Sequence, residues 1–300
     1  MSTVSAYLNG AWIPGSELRI GVDDAGFLLG ATVTERLRTF RGQVFRLDEH
    51  MRRLRGSLKI IGLDSDKIAN EIARAIPEFI RRNESLIDSE DDWSVVAFAT
   101  PGAAGGHQPT VCVHGHPLPF KSWASQFETG VPVVISSIRQ VPTNCWPAEL
   151  KCRSRMHYYL ADREAAAKRP GARAIVLDQD GYVAEATTAN VFVYREGKGL
   201  VSPTAENILV GVSLTVVEEL AAKLDIPFVM RQLTVDELRT SDEAMLASTS
   251  ICALPIIECD GHAIGNGKPG PIYRRLLAVW NELVGVDIAA QARRFASRAI

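Results

Sequence analysis

The amino-acid sequence predicts an α+β protein with two domains. A chain of 300 residues is long enough to bury two hydrophobic cores. Strand-like segments interleave with helical segments and outnumber them, which is typical of α+β architecture. The stretch Pro117-Leu118-Pro119 restricts the backbone and interrupts the apolar periodicity. We therefore expect a smaller N-terminal α/β domain over residues 1–120 and a larger C-terminal domain over residues 121–300.

The first domain is expected to combine two hairpins, two helices and two further strands. Asn9-Gly10, between short apolar segments, is the strongest local signal for a hairpin. Isoleucines recur every four residues from Ile68, which places them on one face of a helix capped by Ser65. The expected elements are two short strands within 6–14, strands 33–40 and 43–46, helices 47–61 and from 65 onward, and strands 95–99 and 111–114.

The second domain is expected to alternate strands and helices. Gln179-Asp180-Gly181 predicts a tight turn between two strands. The expected strands cover 131–138, 172–178, 182–186 and 191–194, and the expected helices cover 156–168, 214–224 and 272–284.

Charge and apolar patterning narrow the classes of function. Lys+Arg of 33 against Asp+Glu of 35 gives a net charge of -2 without a basic run, so we expect no nucleic-acid partner. The longest apolar stretches are far shorter than the ~20 residues that span a bilayer, and the first residues lack a signal-peptide layout. We therefore expect no membrane partner and a cytoplasmic location. The 5 cysteines lack Cys-x-x-Cys spacing, which argues against a disulfide framework or zinc ribbon.

Short catalytic and metal-binding motifs give little information. The sequence has no nucleophile elbow, phosphate loop or His-Glu-x-x-His motif. His114-Gly115-His116 places two imidazoles on one face of a strand, but no third histidine or carboxylate cluster accompanies them. We therefore expect no metal site.

Four separated motifs carry more information together than any one of them carries alone. They are HMRRL at 50–54, LK at 150–151, VAEATTANVF at 183–192 and ILVGVS at 208–213. In order and spacing they resemble the class IV aminotransferases, a family that includes branched-chain and D-amino acid aminotransferases and aminodeoxychorismate lyase. The resemblance extends from Tyr7 to Ile256. It implies a fold-type IV enzyme similar to D-amino acid aminotransferase, which uses pyridoxal 5'-phosphate and forms a homodimer.

The resemblance also implies the catalytic lysine and the carboxylate that binds the cofactor ring. Lys151 matches the lysine that holds the cofactor as a Schiff base and moves protons. Apolar neighbours such as Leu150 suit this role, because desolvation favours the neutral, nucleophilic amine. Glu185 matches the carboxylate that keeps the pyridine nitrogen protonated, so that the ring accepts electrons. By composition alone, Glu185 is equally typical of an edge-strand carboxylate exposed to water.

Three segments match the phosphate site of the family. A helix N-terminus after Gly211 offers free N–H groups and a favourable dipole to an anion. Arg53 matches the family's phosphate-binding arginine and supplies a fork of donors. The implied phosphate ligands are Arg53, Gly211, Val212, Ser213, Thr249 and Ser250.

Several departures from the family pattern bear on the reaction. Leu214 stands where many relatives have an arginine, and the loop after strand 95–99 lacks the arginine of D-amino acid enzymes. Met156 stands where branched-chain enzymes have the tyrosine that contacts the phenolic oxygen of the cofactor. Tyr158 and Tyr159 are the candidates to replace that tyrosine. Arg155, followed by Met156, is more similar to aminodeoxychorismate lyase.

The strand at 33–40 carries the candidate substrate-binding residues. Alternation places Thr34, Arg36 and Arg38 on one face and Glu35 and Leu37 on the other. In relatives the first face lines the substrate pocket. Two arginines there would bind one or two carboxylates as bidentate pairs, although an exposed basic edge is an equally good interpretation.

Together these residues predict an aminotransferase that moves an amino group between an amino acid and a 2-keto acid, of branched-chain-like or D-amino acid-like type. One alternative is aminodeoxychorismate lyase, in which Lys151 would drive elimination of pyruvate to give 4-aminobenzoate. A second alternative is a homologue that binds the cofactor but has impaired catalysis, because of Leu214 and Met156. Production of keto acid that requires an added amino acceptor separates the first two activities.

Overall fold

The computed structural model describes residues 3–106 and 108–298 and divides into two compact units. The first unit contains the described residues up to Pro119 together with Glu149–Ser154. The second contains Phe120–Ala148 and the described residues from Arg155 onward. The segment that carries Lys151 thus belongs with the first unit. The assignment of 1–120 and 121–300 to two domains stays a prediction.

The first unit is built on a six-stranded antiparallel sheet with the strand order β2-β1-β6-β5-β3-β4. Asn9 and Gly10 both have positive φ and form the turn between β1 and β2, as their sequence predicts. The elements are β1 Ser5–Leu8, β2 Ala11–Pro14, α1 Ala25–Leu28, β3 Val33–Phe40, β4 Gln43–Val44, α2 Leu47–Ile60, α3 Ser65–Asn83, β5 Trp93–Thr100 and β6 Thr110–Pro117.

The core of the first unit lies between one sheet face and the helices α2 and α3. Leu37 of β3, Leu54 of α2 and Ile72 of α3 are all fully buried in one apolar cluster. The isoleucine stripe of α3 therefore packs as predicted. The cap of α3 is Asp64 rather than Ser65, because the Asp64 carboxylate accepts from the Lys67 N–H while Ser65 is already helical.

The second unit contains a nine-stranded mixed sheet with the order β12-β11-β10-β13-β14-β7-β8-β9, to which β15 adds beside β14. Small residues such as Ala161 and Ala165 pack α5 against strands β7 and β8. The elements are α4 Gln126–Thr129, β7 Val131–Arg139, α5 Met156–Lys168, β8 Arg173–Leu177, β9 Val183–Ala186, β10 Asn190–Arg195, β11 Gly199–Ser202, α6 Val212–Lys223, β12 Phe228–Met230, α7 Val235–Arg239, β13 Glu243–Ser248, β14 Cys252–Cys259, β15 His262–Ala263, α8 Pro271–Val284 and α9 Ile288–Phe295.

Candidate active site

Lys151 is held by backbone hydrogen bonds to β3 in the first unit. Its carbonyl accepts from the Thr34 N–H (3.0 Å), and its own N–H donates to Ser57 Oγ (3.1 Å). Two residues later in the chain, the Arg153 N–H donates to the Thr32 carbonyl (2.9 Å). Lys151 follows a loop rather than a strand, and these hydrogen bonds fix its backbone. Leu150 packs against the apolar core, as its composition predicts.

A buried charge cluster, formed by Glu35, His50 and Arg53, lies in the same unit. Arg53 makes a bidentate pair with Glu35, with Nε–Oε1 of 2.8 Å and Nη2–Oε2 of 2.7 Å. His50 Nδ1 lies 2.8 Å from Glu35 Oε2. Glu35 is fully buried, and Arg53 is mostly so. Neither Glu35 nor His50 was among the sequence candidates, although HMRRL contains His50 three residues before Arg53.

Ionisation of the Glu35 cluster follows from burial and pairing. Burial alone would raise the pKa of Glu35, but Arg53 and His50 outweigh it and hold that pKa below its usual range. For His50, burial lowers the pKa, because it disfavours the charged imidazolium. The charges of Arg53 and Lys151 lower this pKa further, whereas Glu35 raises it. Glu35 is therefore a carboxylate that orients the Arg53 guanidinium. Phosphate binding by Arg53 stays a prediction.

The candidate substrate residues of β3 have different surroundings. Thr34 Oγ1 donates to the Ala97 carbonyl (3.0 Å), and Arg36, which is partly exposed, donates to Ser94 Oγ (3.2 Å). Arg38 is only 1% exposed and pairs with the buried Asp92 at 3.4 Å. The role predicted for Arg38 in gripping a substrate carboxylate is corrected on this ground, because its guanidinium is enclosed by the protein and stacked on Phe40. The substrate-binding role of Arg36 stays a prediction.

Glu185 lies on the edge strand β9 of the second unit and is only 6% exposed. The interpretation of Glu185 as a carboxylate facing water is therefore excluded. Glu185 Oε1 accepts from the Tyr158 hydroxyl (2.6 Å) and from Gln140 Nε2 (2.5 Å). Burial and the charge of Glu185 raise the pKa of the Tyr158 phenol well above its ordinary value, so the phenol remains a donor.

Tyr158 and Tyr159, the candidates to replace the tyrosine that is absent at position 156, have different surroundings. Tyr159 is 58% exposed, and Met156 is also largely exposed. The Tyr158 hydroxyl instead donates a hydrogen bond to Glu185. Its predicted contact with the phenolic oxygen of the cofactor stays untested.

The start of α6 forms a closely packed turn in the second unit. The Gly211 N–H donates to Asn190 Oδ1 (3.1 Å), and Asn190 Nδ2 donates to the Leu209 carbonyl (2.9 Å). A Cβ on Gly211 would lie 2.4 Å from Asn190 Oδ1, so any larger residue would have to displace the Asn190 side chain. Val212 and Ser213 begin the helix, and the first N–H groups of a helix have no acceptor within it.

The turn that carries Thr249 and Ser250 lies at the same end of the sheet as the start of α6. Asn190 of β10 is paired with Ala247 of β13, two residues before Thr249. The side chain of Asn190 in turn holds the Gly211 turn. The structure thus brings the helix N-terminus and the hydroxyl-rich turn together, as a site for an anion requires.

Metal ligands, the histidines of β6 and the apolar helices are the remaining candidate features. No group of three or more metal-ligating side chains occurs among residues 3–106 and 108–298. Burial lowers the pKa of His114, on β6, to about 4, with added repulsion from Arg153, His116 and Arg36. Among the described helices, none is long and apolar enough to cross a bilayer.

Comparison with known proteins places this geometry in a family. The family model described as amino-transferase class IV matches residues 32–259. A Methanocaldococcus jannaschii protein named "Putative branched-chain-amino-acid aminotransferase" is 30% identical over 90% of this chain and 93% of its own. The D-alanine aminotransferase of Staphylococcus aureus is also 30% identical, over 90% of this chain and 94% of its own. The chain therefore belongs to the class IV aminotransferases.

Solved structures agree with this assignment. The branched-chain amino acid aminotransferase of Thermobaculum terrenum, in its pyridoxal-phosphate form, superposes with a TM-score of 0.83 at 25% identity. The match covers 98% of this chain and 97% of that one. The predicted fold-type IV architecture is thus confirmed. The predicted cofactor, pyridoxal 5'-phosphate, is confirmed as the cofactor of this family and its solved relatives.

The residues of this chain fit that cofactor. Glu185 is a buried carboxylate of the kind that pairs with a protonated pyridine nitrogen. The tight Gly211 turn leaves helix N–H groups for a phosphate, and Lys151 supplies an amine on a fixed backbone. These assignments to individual cofactor atoms are proposals.

Proposed function

We propose that the protein transfers an amino group between an amino acid and a 2-keto acid, with Lys151 as its catalytic residue. The observation that supports this most directly is the hydrogen-bonded bridge from Lys151 to β3, which holds the backbone of a reactive lysine. The relatives support an aminotransferase of branched-chain or D-amino acid type. They do not support the lyase alternative, so pyruvate elimination is not proposed.

Each proposed residue has a distinct task. When bound, the cofactor supplies an aldehyde that captures the substrate amine and a ring that accepts electrons from its Cα. Lys151 Nζ takes the Cα proton of the substrate and returns a proton when the keto acid reacts. Glu185 holds a proton at the pyridine nitrogen. Arg53, the α6 N-terminus and the turn hydroxyls of Thr249 and Ser250 bind the phosphate.

We also propose Thr34 and Arg36 as substrate-binding residues. Arg36 is partly exposed beside Thr34 on the face of β3 opposite Leu37, which packs against α2 and α3. A guanidinium there is suited to a carboxylate of an amino acid or keto acid. Arg36→Ala should lower kcat/KM for amino acids by about tenfold, with little effect on amines that lack a carboxylate.

A second copy of this chain is the proposed partner. The turn at 26–30 exposes Phe27 (70%), Leu28 and Leu29, three large apolar side chains in sequence. Trp123 and Phe127 of the segment at 123–134 are by contrast buried within the second unit, so the turn at 26–30 is the proposed contact surface. Sedimentation at assay concentration should give a dimer, and an active monomer would contradict this proposal.

A panel of L- and D-amino acids with several keto acids tests the proposed activity. Full-length protein loaded with pyridoxal phosphate should release keto acid only when an acceptor is added. Lys151→Ala should abolish turnover, whereas Lys59→Ala, at an exposed lysine of the same unit, should retain it. Borohydride reduction should attach the cofactor to the peptide that contains Lys151. Attachment to a different lysine, or cofactor binding without turnover across the panel, would overturn the proposal.

A further inference from the structure

Glu185 belongs to a network with three polar side chains, which come from α5 and from the loop that follows β7. Tyr158 and His157 lie in the first turn of α5, Gln140 directly follows β7, and Glu185 is on β9. Gln140 Nε2 donates to Glu185 Oε1 and lies 3.1 Å from the Tyr158 hydroxyl oxygen. Tyr158 and Gln140 therefore approach the same carboxylate oxygen and each other.

His157 extends this network by one hydrogen bond. His157 Nε2 lies 3.0 Å from Gln140 Oε1, an amide oxygen that can only accept. Because this hydrogen bond holds Oε1 toward His157, the Nε2 end of the Gln140 amide faces Glu185. The rings of His157 and Tyr158 are also in contact, with centroids 4.0 Å apart.

The network has an energetic reason. A carboxylate at the depth of Glu185 is costly to bury unless donors replace its water. Neutral donors such as a phenol and an amide lower this cost and restrict the carboxylate rotamer, and they do so without cancelling its charge. A network of this kind fixes the position of a carboxylate.

We propose that Tyr158 and Gln140 are positioning residues that hold the Glu185 carboxylate for the pyridine nitrogen of the cofactor, and that His157 orients Gln140. This inference rests on the proposed role of Glu185. It gives Tyr158 a task other than replacing the tyrosine that Met156 displaces, because its hydroxyl is directed at Glu185.

The test compares two adjacent tyrosines in the full-length protein. Tyr158→Phe removes only the hydroxyl at Glu185, and Tyr159→Phe is the matched control at an exposed ring. The measurements are the dissociation constant for pyridoxal phosphate, by titration of protein freed of cofactor, the visible absorption maximum of the loaded protein, and kcat and KM separately.

Tyr158→Phe should weaken pyridoxal-phosphate binding and lower kcat, each by about tenfold, as expected for one hydrogen bond to a charged group. KM should change less than kcat, and the absorption maximum should shift. Gln140→Leu should act in the same direction, which keeps the test open if one variant folds poorly. Tyr159→Phe should stay within about twofold of the parent protein, as a surface substitution does.

A double-mutant cycle separates positioning from general support of the fold. If Tyr158 acts through Glu185, then adding Tyr158→Phe to the Glu185→Gln variant should change kcat and the dissociation constant for pyridoxal phosphate by less than about twofold. A tenfold effect of Tyr158→Phe in the Glu185→Gln variant would overturn the inference. So would a Tyr158→Phe protein whose kcat and cofactor binding match those of Tyr159→Phe, if Glu185→Gln lowers both. An unaffected Glu185→Gln variant would overturn it together with the role of Glu185, while the Lys151 result would still decide the proposed function.

Discussion

Glu35 in the first unit and Glu185 in the second are both buried carboxylates on strands, but different kinds of partner hold them. A bidentate guanidinium from Arg53 and the imidazole of His50 surround Glu35. Tyr158 and Gln140, which are uncharged donors, hold Glu185. A cation compensates the charge of a buried carboxylate, whereas neutral donors solvate that charge and leave it in place.

The comparison indicates a division of tasks. Glu35 acts as a fixed structural anion, whose removal leaves buried positive charge behind. Glu185 is suited to meet a positive charge that arrives with a ligand, as the pyridine nitrogen would supply. Substitution of each carboxylate by its amide should therefore affect different measured properties.

The largest expected effect is on stability, from Glu35→Gln. Loss of this carboxylate leaves the Arg53 guanidinium buried without its bidentate partner, which typically costs about 3 to 5 kcal/mol. Glu49→Gln is the matched control, because Glu49 pairs with Arg46 at a partly exposed site. That pair should contribute at most about 1 kcal/mol. Urea unfolding of both variants measures the difference, and equal losses would remove the distinction between the two sites.

The second effect is on catalysis, from Glu185→Gln. The amide cannot hold a proton on the pyridine nitrogen, so kcat/KM should fall by about a hundredfold, equivalent to ~2.7 kcal/mol. The free energy of unfolding should change less than it does for Glu35→Gln, because the donors Tyr158 and Gln140 carry no charge that the substitution would leave uncompensated. An unaltered single-turnover rate would contradict the role proposed for Glu185.

A smaller effect is expected from Arg53→Lys. Lysine keeps the positive charge but cannot make the two parallel bonds to Glu35. We expect retention of pyridoxal phosphate to weaken by about tenfold, the loss typical of one charged hydrogen bond. Arg52→Lys, at an exposed neighbour on α2, is the control. Equal dissociation constants for the two variants would show that the geometry of Arg53 is unimportant for the cofactor.

The smallest effect concerns pH. The pKa values of Glu35 and His50 are both below their unfolded values, so the folded state binds fewer protons than the unfolded state in acid. Stability should therefore be lost as pH falls, first below about 6.5 through His50 and then below about 4.3 through Glu35. His50→Gln should flatten the first part of this dependence in a urea titration series. An unchanged slope between neutral pH and about pH 5 would contradict it.

Local patterns in the sequence were sufficient for many elements of the fold. Asn9-Gly10 and the isoleucine repeat of α3 correctly predicted a hairpin and a packed helix, since turn chemistry and helical periodicity are encoded within a few residues. Strand β14 was missed, because Pro255 usually argues against a central strand, and yet it is paired there with Met245 of β13. The short strands β11, β12 and β15 were not predicted either.

Site residues were predictable to the extent that a motif contains them. Lys151, Glu185 and Gly211 were identified through family resemblance, although their roles stay proposals. Glu35, Tyr158 and Gln140 acquire their partners only by folding, because the partners lie 15 to 45 residues away in the chain. Alternation placed Arg38 on the correct strand but could not show that Asp92 would bury and pair with it.

The membership of Glu149–Ser154 in the first unit has a consequence for synthesis of the chain. The Thr32 carbonyl and the Thr34 N–H of that unit are hydrogen-bonded to Arg153 and Lys151, which lie more than a hundred residues later in the chain. A ribosome adds about 5 to 20 residues per second, so several seconds pass between the synthesis of Pro119 and that of Lys151 and Arg153. During that time the nascent first unit lacks these two hydrogen-bond partners. The lysine on which the proposed chemistry depends is thus one of the last parts of that unit to be delivered.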